Sequence, residues 1–298
     1  MLGIGGWQGK VGIWYFAESS SLELPGIYAH PDSVQVAFSP KGQFVYGSGG
    51  VAVLWDVNTQ KELRRYTFPA QGLTALAFSN DEAMLATANW AGARSGPGAV
   101  RIFDLTTNVE RIIATDGGVS VSFHPDNKRL AFAKGGWNST IEVYDIQAEK
   151  RYSSPYHGTI ASGLAISSDS KLMAHGASRG IIKVIEIDTS SEKCRLQRQE
   201  YDPRSAEGAP MAFYPGQDSL VFTGFDRGTK FYSWNLNSNQ VNPFMPDERF
   251  ISTYLWPSVC ISADRRVLAI GDRTELEHLE TQILAVQQSI IFDLVVTR

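Results

Sequence analysis

Val34-Gln35-Val36-Ala37-Phe38-Ser39-Pro40-Lys41-Gly42 runs into Phe44-Val45-Tyr46-Gly47 and then into Val51-Ala52-Val53-Leu54-Trp55-Asp56. The first piece alternates apolar and polar residues and ends in turn formers. The second is apolar. The third ends in an aromatic residue followed by an acid. Alternation with period two, β-branched and aromatic enrichment, and Gly/Pro/Asn/Asp/Ser punctuation mark strands rather than helices. The first piece recurs at Leu73-Thr74-Ala75-Leu76-Ala77-Phe78-Ser79-Asn80, Val119-Ser120-Val121-Ser122-Phe123-His124-Pro125, Gly163-Leu164-Ala165-Ile166-Ser167-Ser168, Met211-Ala212-Phe213-Tyr214-Pro215 and Val259-Cys260-Ile261-Ser262-Ala263. Its second turn residue stands at positions 40, 80, 125, 168, 215 and 263, a spacing of 40 to 48 residues. A period in that range, with several short strands per unit, is the mark of a repeat architecture.

The other pieces recur in step. The third appears as Val100-Arg101-Ile102-Phe103-Asp104, Ile141-Glu142-Val143-Tyr144-Asp145, Lys183-Val184-Ile185-Glu186, Phe231-Tyr232-Ser233-Trp234-Asn235 and Ile290-Ile291-Phe292-Asp293. A weaker fourth stretch follows, as in Leu63-Arg64-Arg65-Tyr66-Thr67-Phe68. Four strands per repeat, A to D in chain order, make one propeller blade. Near the start, Leu2-Gly3-Ile4, Val11-Gly12-Ile13-Trp14 and Leu22-Glu23-Leu24 read as B, C and D without an A. The reading is an all-β chain: a seven-bladed β-propeller of four-stranded antiparallel blades, the first blade incomplete. It is read as a single domain over residues 1–298, expected to be part of a larger polypeptide or complex.

The pattern resembles the WD-repeat (tryptophan–aspartate) family of β-propellers. Its carriers are Trp55-Asp56, Phe103-Asp104, Tyr144-Asp145 and Phe292-Asp293, in register with the A-strand turns. The aromatic residue is expected to fill the wedge between neighbouring sheets. The acid is expected to hold backbone N–H groups and start the C–D turn. Another four-stranded propeller family is the competing reading. The chain departs from the family in its histidines: one before strand A is plausible only at His30 and His157. The family's buried Asp-His-Ser-Trp network is therefore not assembled, and packing is expected to hold the blades together.

Composition narrows the function. The chain has 298 residues, 43% hydrophobic and 19% charged, enough apolar material for a sizeable core. Its net charge of −4 argues against general nucleic-acid binding. No run of 18 apolar residues is present, so no membrane insertion is expected. The opening residues lack the basic-then-apolar order of a secretory signal. Two cysteines, Cys194 and Cys260, form no disulfide framework, and an intracellular setting, cytoplasmic or nuclear, is expected. No hydrolase, P-loop, zinc-protease or C-x-x-C motif occurs, so no enzyme, cofactor or metal is expected. His124 reads as a polar turn residue and His175 as a structural histidine ending a B strand. Asp126, Asp169 and Asp264 recur at one turn position and read as turn formers. Asp264-Arg265-Arg266-Val267 reads as an exposed turn.

The resemblance implies that B–C and D–A connections share one face, the top. The connections expected to be long all map there: residues 90–98, 272–288, 188–208 and 242–257. Long loops on a rigid scaffold carry recognition. Trp7, Trp90 and Trp137 fall in B–C loops, and Phe225 in the equivalent loop of another blade. With Arg94, Arg179 and Arg227 they have interface composition. Each tryptophan either binds a partner or folds onto its own loop. Residues 274–283 read as a short amphipathic helix, packed on the propeller or offered to a partner. The favoured function is a non-catalytic protein–protein interaction scaffold for protein or peptide partners. The alternative is an enzyme or small-ligand-binding propeller with its site at the central channel.

Overall fold

The structure is a computed structural model describing residues 2–5, 11–15, 20–25, 35–39, 43–69, 72–90, 98–134, 140–153, 163–177, 181–197, 211–214, 218–225, 229–243, 258–261 and 268–271. Every regular element among them is a β-strand, and every strand pairs antiparallel with its neighbour in sequence. The first sheet holds β1 (Leu2–Gly5), β2 (Val11–Tyr15) and β3 (Ser20–Leu24). The second holds β4 (Gln35–Phe38), β5 (Gln43–Ser48), β6 (Val51–Asp56) and β7 (Lys61–Thr67). The third holds β8 (Leu73–Phe78), β9 (Met84–Asn89), β10 (Val100–Asp104) and β11 (Glu110–Ala114). The fourth holds β12 (Gly118–Phe123), β13 (Arg129–Lys134), β14 (Ile141–Asp145) and β15 (Lys150–Ser153). The fifth holds β16 (Leu164–Ile166), β17 (Leu172–Ala177), β18 (Ile181–Glu186) and β19 (Glu192–Gln197). The sixth holds β20 (Met211–Phe213), β21 (Ser219–Phe225), β22 (Thr229–Asn235) and β23 (Gln240–Pro243). The seventh pairs β24 (Ser258–Ile261) with β25 (Leu268–Gly271).

The five central sheets are thus the expected blades of strands A to D, and the first sheet has the expected three strands. The chain divides into two compact units, Met1–Ala161 with the first four sheets and Ser162–Arg298 with the rest. Strand C at 290–293 and the helix at 274–283 lie outside the described residues, as do Asp264, Arg265 and Arg266. Two connections differ from expectation. Strand β19 occupies 192–197, so the D–A segment read from 188 begins only after Gln197. Strand β23 likewise takes Gln240–Pro243. Both strands are polar, and their composition hides where they end.

The turns repeat as the strands do. Asp56 Oδ1 accepts the N–H groups of Asn58 and Thr59, Asp104 those of Thr106 and Thr107, Asp145 those of Gln147 and Ala148, and Asn235 those of Asn237 and Ser238. Four residues after each acid or amide the chain turns left-handed, at Gln60, Asn108, Glu149 and Asn239. This is the bulged hairpin that a side-chain acceptor at its first position favours. At the same end of the sheets, Leu105 N–H reaches Ala83 O, Ile146 reaches Lys128, Ile187 reaches Lys171 and Leu236 reaches Asp218, at 2.8 to 2.9 Å. Those bonds tie each C–D turn to the A–B turn of its own sheet. Asp81, Asp126 and Asp169 are turn formers, each accepting a backbone N–H two residues on.

The core is a series of layers between sheets. In the first unit, Leu24 packs with Tyr46, Val53 and Trp55. Val45, Leu54 and Tyr66 pack with Leu85 and Phe103. Ala88, Ile102 and Ile113 pack with Phe123, Phe132 and Tyr144. In the second unit, Ala174, Ile182 and Val184 pack with Met211, Phe222 and the fully buried Trp234. The strand-C aromatics therefore fill the wedges, each contributing roughly 1.5–3 kcal/mol of burial. Two histidines correct the sequence reading. His124, read as a polar turn residue, is fully buried at its turn, with its Nδ1 3.6 Å from Asp126. His175 is buried inside β17, opposite Lys183, rather than at a strand end.

Candidate partner-binding site

Within a sheet of four antiparallel strands, the B–C and D–A connections necessarily lie at one end. In the second sheet the B–C connection is as short as it can be. Gly49, at φ 58°, and Gly50 form it, and their carbonyls accept the N–H groups of Leu73 and Phe68 at 3.1 and 2.7 Å. The neighbouring chain passes so close that a Cβ on Gly47 would run into the Leu73 side chain.

The third sheet opens this connection into a loop. Asn89 N–H donates to Ala99 O at 2.9 Å and closes its base. Trp90, the next residue, donates its N–H to Gly72 O at 2.6 Å, so its backbone is fixed to the D–A segment before β8. The Trp90 residue itself is only partly buried. Its indole leaves a rigid base at the rim of the sheet, the placement a binding anchor needs.

Beneath Trp90 lies a polar layer. Asn89 is fully buried, and its Oδ1 accepts a hydrogen bond from Arg101 Nη1 at 2.9 Å. Arg101 is itself buried, with Nε 2.9 Å from Glu110 Oε1 and its guanidinium 5.4 Å above the Phe68 ring. The arginine thus links the loop base, the outer strand and an aromatic of the preceding sheet. In the fourth sheet Lys134 Nζ bridges Asp116 and Glu142, both at 2.8 Å. Burial alone would lower the Lys134 pKa; its bonds to Asp116 and Glu142 more than offset this and raise it. Lys134 is therefore held in its charged form at neutral pH.

Of the residues singled out in the sequence, Trp90 stands at the loop base as read. Phe225 is the last residue of β21, in register with Thr229, at the B–C end of the sixth sheet. Trp7, Arg94, Trp137, Arg179 and Arg227 lie outside the described residues. Sequence reasoning missed Arg101, Asn89 and Glu142. The signal was present: Arg101 and Glu142 each stand two residues before a core aromatic on strand C, hence on the same buried face. Among the described residues no group of three His, Cys, Asp or Glu side chains is placed to hold a metal ion.

The family described as WD domain, G-beta repeat matches residues 23–56 and 108–145. No curated protein sequence matches the chain. Each matched segment runs from strand D of one sheet through A, B and C of the next and ends on an aromatic–Asp pair, Trp55-Asp56 and Tyr144-Asp145. WD repeats typically mediate protein–protein interaction, and propellers of this kind are generally non-catalytic. With strands A to C of each matched segment lying in a sheet of four antiparallel strands, the chain carries WD repeats and resembles the WD-repeat β-propeller family.

Proposed function

We propose that this protein is a non-catalytic interaction scaffold that presents the B–C loop end of its sheets to protein or peptide partners. The supporting observation is Trp90: a large aromatic whose backbone is held by its own N–H bond to Gly72 and that of Asn89 to Ala99 while its residue stays partly exposed. A side chain so placed loses little entropy on binding. Trp7 and Trp137 in the equivalent loops, and Phe225 at the end of β21, serve as further anchors, with Arg94, Arg179 and Arg227 as planar donors to partner carboxylates. The proposed setting is intracellular, cytoplasmic or nuclear, in keeping with Cys194 as a free thiol.

The test compares binding and stability for the same variants. Trp90→Ala is expected to weaken a partner identified by pull-down by about 2 kcal/mol or more while leaving the melting temperature nearly intact. A loss of roughly 3–5 kcal/mol in stability with unchanged affinity per folded molecule would mean that the indole packs rather than binds, and would remove the reading.

A further inference from the structure

All four large hydrophobic residues exposed among the described residues lie on or beside the outer strands of three consecutive sheets in the first unit. Leu63 is on β7, Val109 and Ile112 are at β11, and Tyr152, 55% exposed, is on β15. The outer strand of a sheet presents a row of unpaired backbone groups, a template for another strand. Natural sheets blunt such edges with bulges, prolines and charge. Strands β7, β11 and β19 are each bulged against their strand C. Strand β23 ends in Pro243. Strand β15 has neither bulge nor proline and carries only charge: Lys150, Arg151, Tyr152 and Ser153 pair in unbroken register with Asp145, Tyr144, Val143 and Glu142.

The side chains of β15 state what that edge accepts. Antiparallel partners share a face. Arg151 therefore lies on the face of Tyr144, which packs toward the third sheet, and its Nη1 is 3.4 Å from Glu142 Oε2. Lys150 and Tyr152 lie on the opposite face, and all three are exposed. The Arg151–Glu142 pair is long and solvent-accessible on the arginine side, so it holds the fork weakly. Cations on both faces repel a second copy of the same edge, in a chain whose overall charge is −4. They complement an acidic strand, and Tyr152 supplies an apolar platform for every second residue.

We propose that the β15 edge takes an extended protein segment of alternating acidic and apolar residues as a fifth strand. Main-chain pairing supplies affinity, and Lys150, Arg151 and Tyr152 supply selection. This surface is separate from the B–C loop end and does not depend on it.

The test uses the full chain and a fluorescent peptide of about nine residues alternating Glu and Val, with a Lys–Val peptide as comparison. The Glu–Val peptide is expected to bind and the Lys–Val peptide to fail. Binding should weaken roughly tenfold between about 0.05 and 0.5 M salt, because the contacts are exposed ion pairs. Lys150→Glu and Tyr152→Glu should each weaken it by about tenfold or more, whereas Lys61→Glu on β7 should not. Amide exchange of unmutated protein should slow at residues 150–153 on adding the peptide, a readout that needs no variant. Equal binding of both peptides, or no slowing at 150–153, overturns the proposal. So does peptide binding abolished by Trp90→Ala but not by Tyr152→Glu, which would assign the peptide to the loop end. Capture by phosphatidylserine vesicles without peptide binding would assign the edge to lipid and likewise overturn it.

Discussion

Thr87 and Phe132 occupy the same place in neighbouring sheets, on strand B opposite the third residue before the acid of strand C. Both are fully buried. Around Phe132 the layer between the third and fourth sheets is mainly aliphatic and aromatic, with Ala88, Ile102, Ile113, Phe123 and Tyr144, and the buried Glu142 stands directly opposite the ring. Around Thr87 the layer between the second and third sheets combines Tyr66 and Phe103, 4.6 Å apart, with the buried Arg101–Asn89 bond. Thr87 Oγ1 and Asn89 Nδ2 have no hydrogen-bond partner among the described residues. One fold position thus tolerates opposite chemistries. The wedge must be filled to density, and what fills it can be apolar or a polar group that is satisfied only in part, as Asn89 is through its Oδ1. The polar layer is the one beneath the Trp90 loop, where orientation matters more than burial.

The largest test of this contrast is Phe132→Ala. With a fully buried ring removed from a largely apolar layer, stability should fall by about 3–5 kcal/mol in urea unfolding. A fall under about 1 kcal/mol would show that the layer closes over the gap and is not tightly packed.

The fifth sheet puts His175 at this same position, opposite Lys183. Burial first, and Lys183 second, push its pKa down to about 4, while Glu192 opposes them. The unfolded chain, with the ordinary value of 6.5, then binds more protons than the folded one between those two values. Stability should accordingly be fully present above about pH 6.5 and decline as pH falls toward 4, by about 3 kcal/mol in all. His175→Phe, which restores the residue type of the fourth sheet, should flatten that part of the pH profile. An unchanged slope would mean that other groups set the acid limb.

Arg101 sharpens the comparison by reversal. Arg101→Ala should cost about 1–3 kcal/mol, because it strips packing from Phe68 and leaves Asn89 Oδ1 buried without its donor. Replacing both partners, as Arg101→Met with Asn89→Leu, should recover most of that loss. If the double variant is no better than the single, the network is more than a replaceable filler. The smallest effect is expected at the turns. Asp104→Ala removes the acceptor for two N–H groups at a solvated hairpin and should cost under about 1 kcal/mol by thermal unfolding.

How much was legible in the sequence depends on which force sets each feature. The strand phrases around Phe38, Phe78 and Phe123, and the aromatic–acid endings of strand C, are local signals. Period-two alternation and the acid's reach to the next N–H groups require no knowledge of distant residues. They identified the sheets, their order and the C–D turns. The bounds of strands β19 and β23 escaped because an outer strand touches core on little of its surface, so its sequence is free to be polar. His124 escaped because burial of a turn residue depends on the neighbouring chain over it. The site was legible only as positions: Trp90 and Phe225 follow from where strand B ends.

By itself, then, the sequence determined the repeat, the strand phrases and the turn chemistry, since each is decided within a few residues along the chain. Tertiary structure decided that Arg101 and Glu142 are core residues: their place two positions before an aromatic marks the face, but the charge is buried only when the preceding sheet lies against it. It also decided the pinning of Trp90 to Gly72 and the unbroken edge of β15. Those features arise between segments brought together by folding, where packing and hydrogen-bond satisfaction act across distances that no local pattern records.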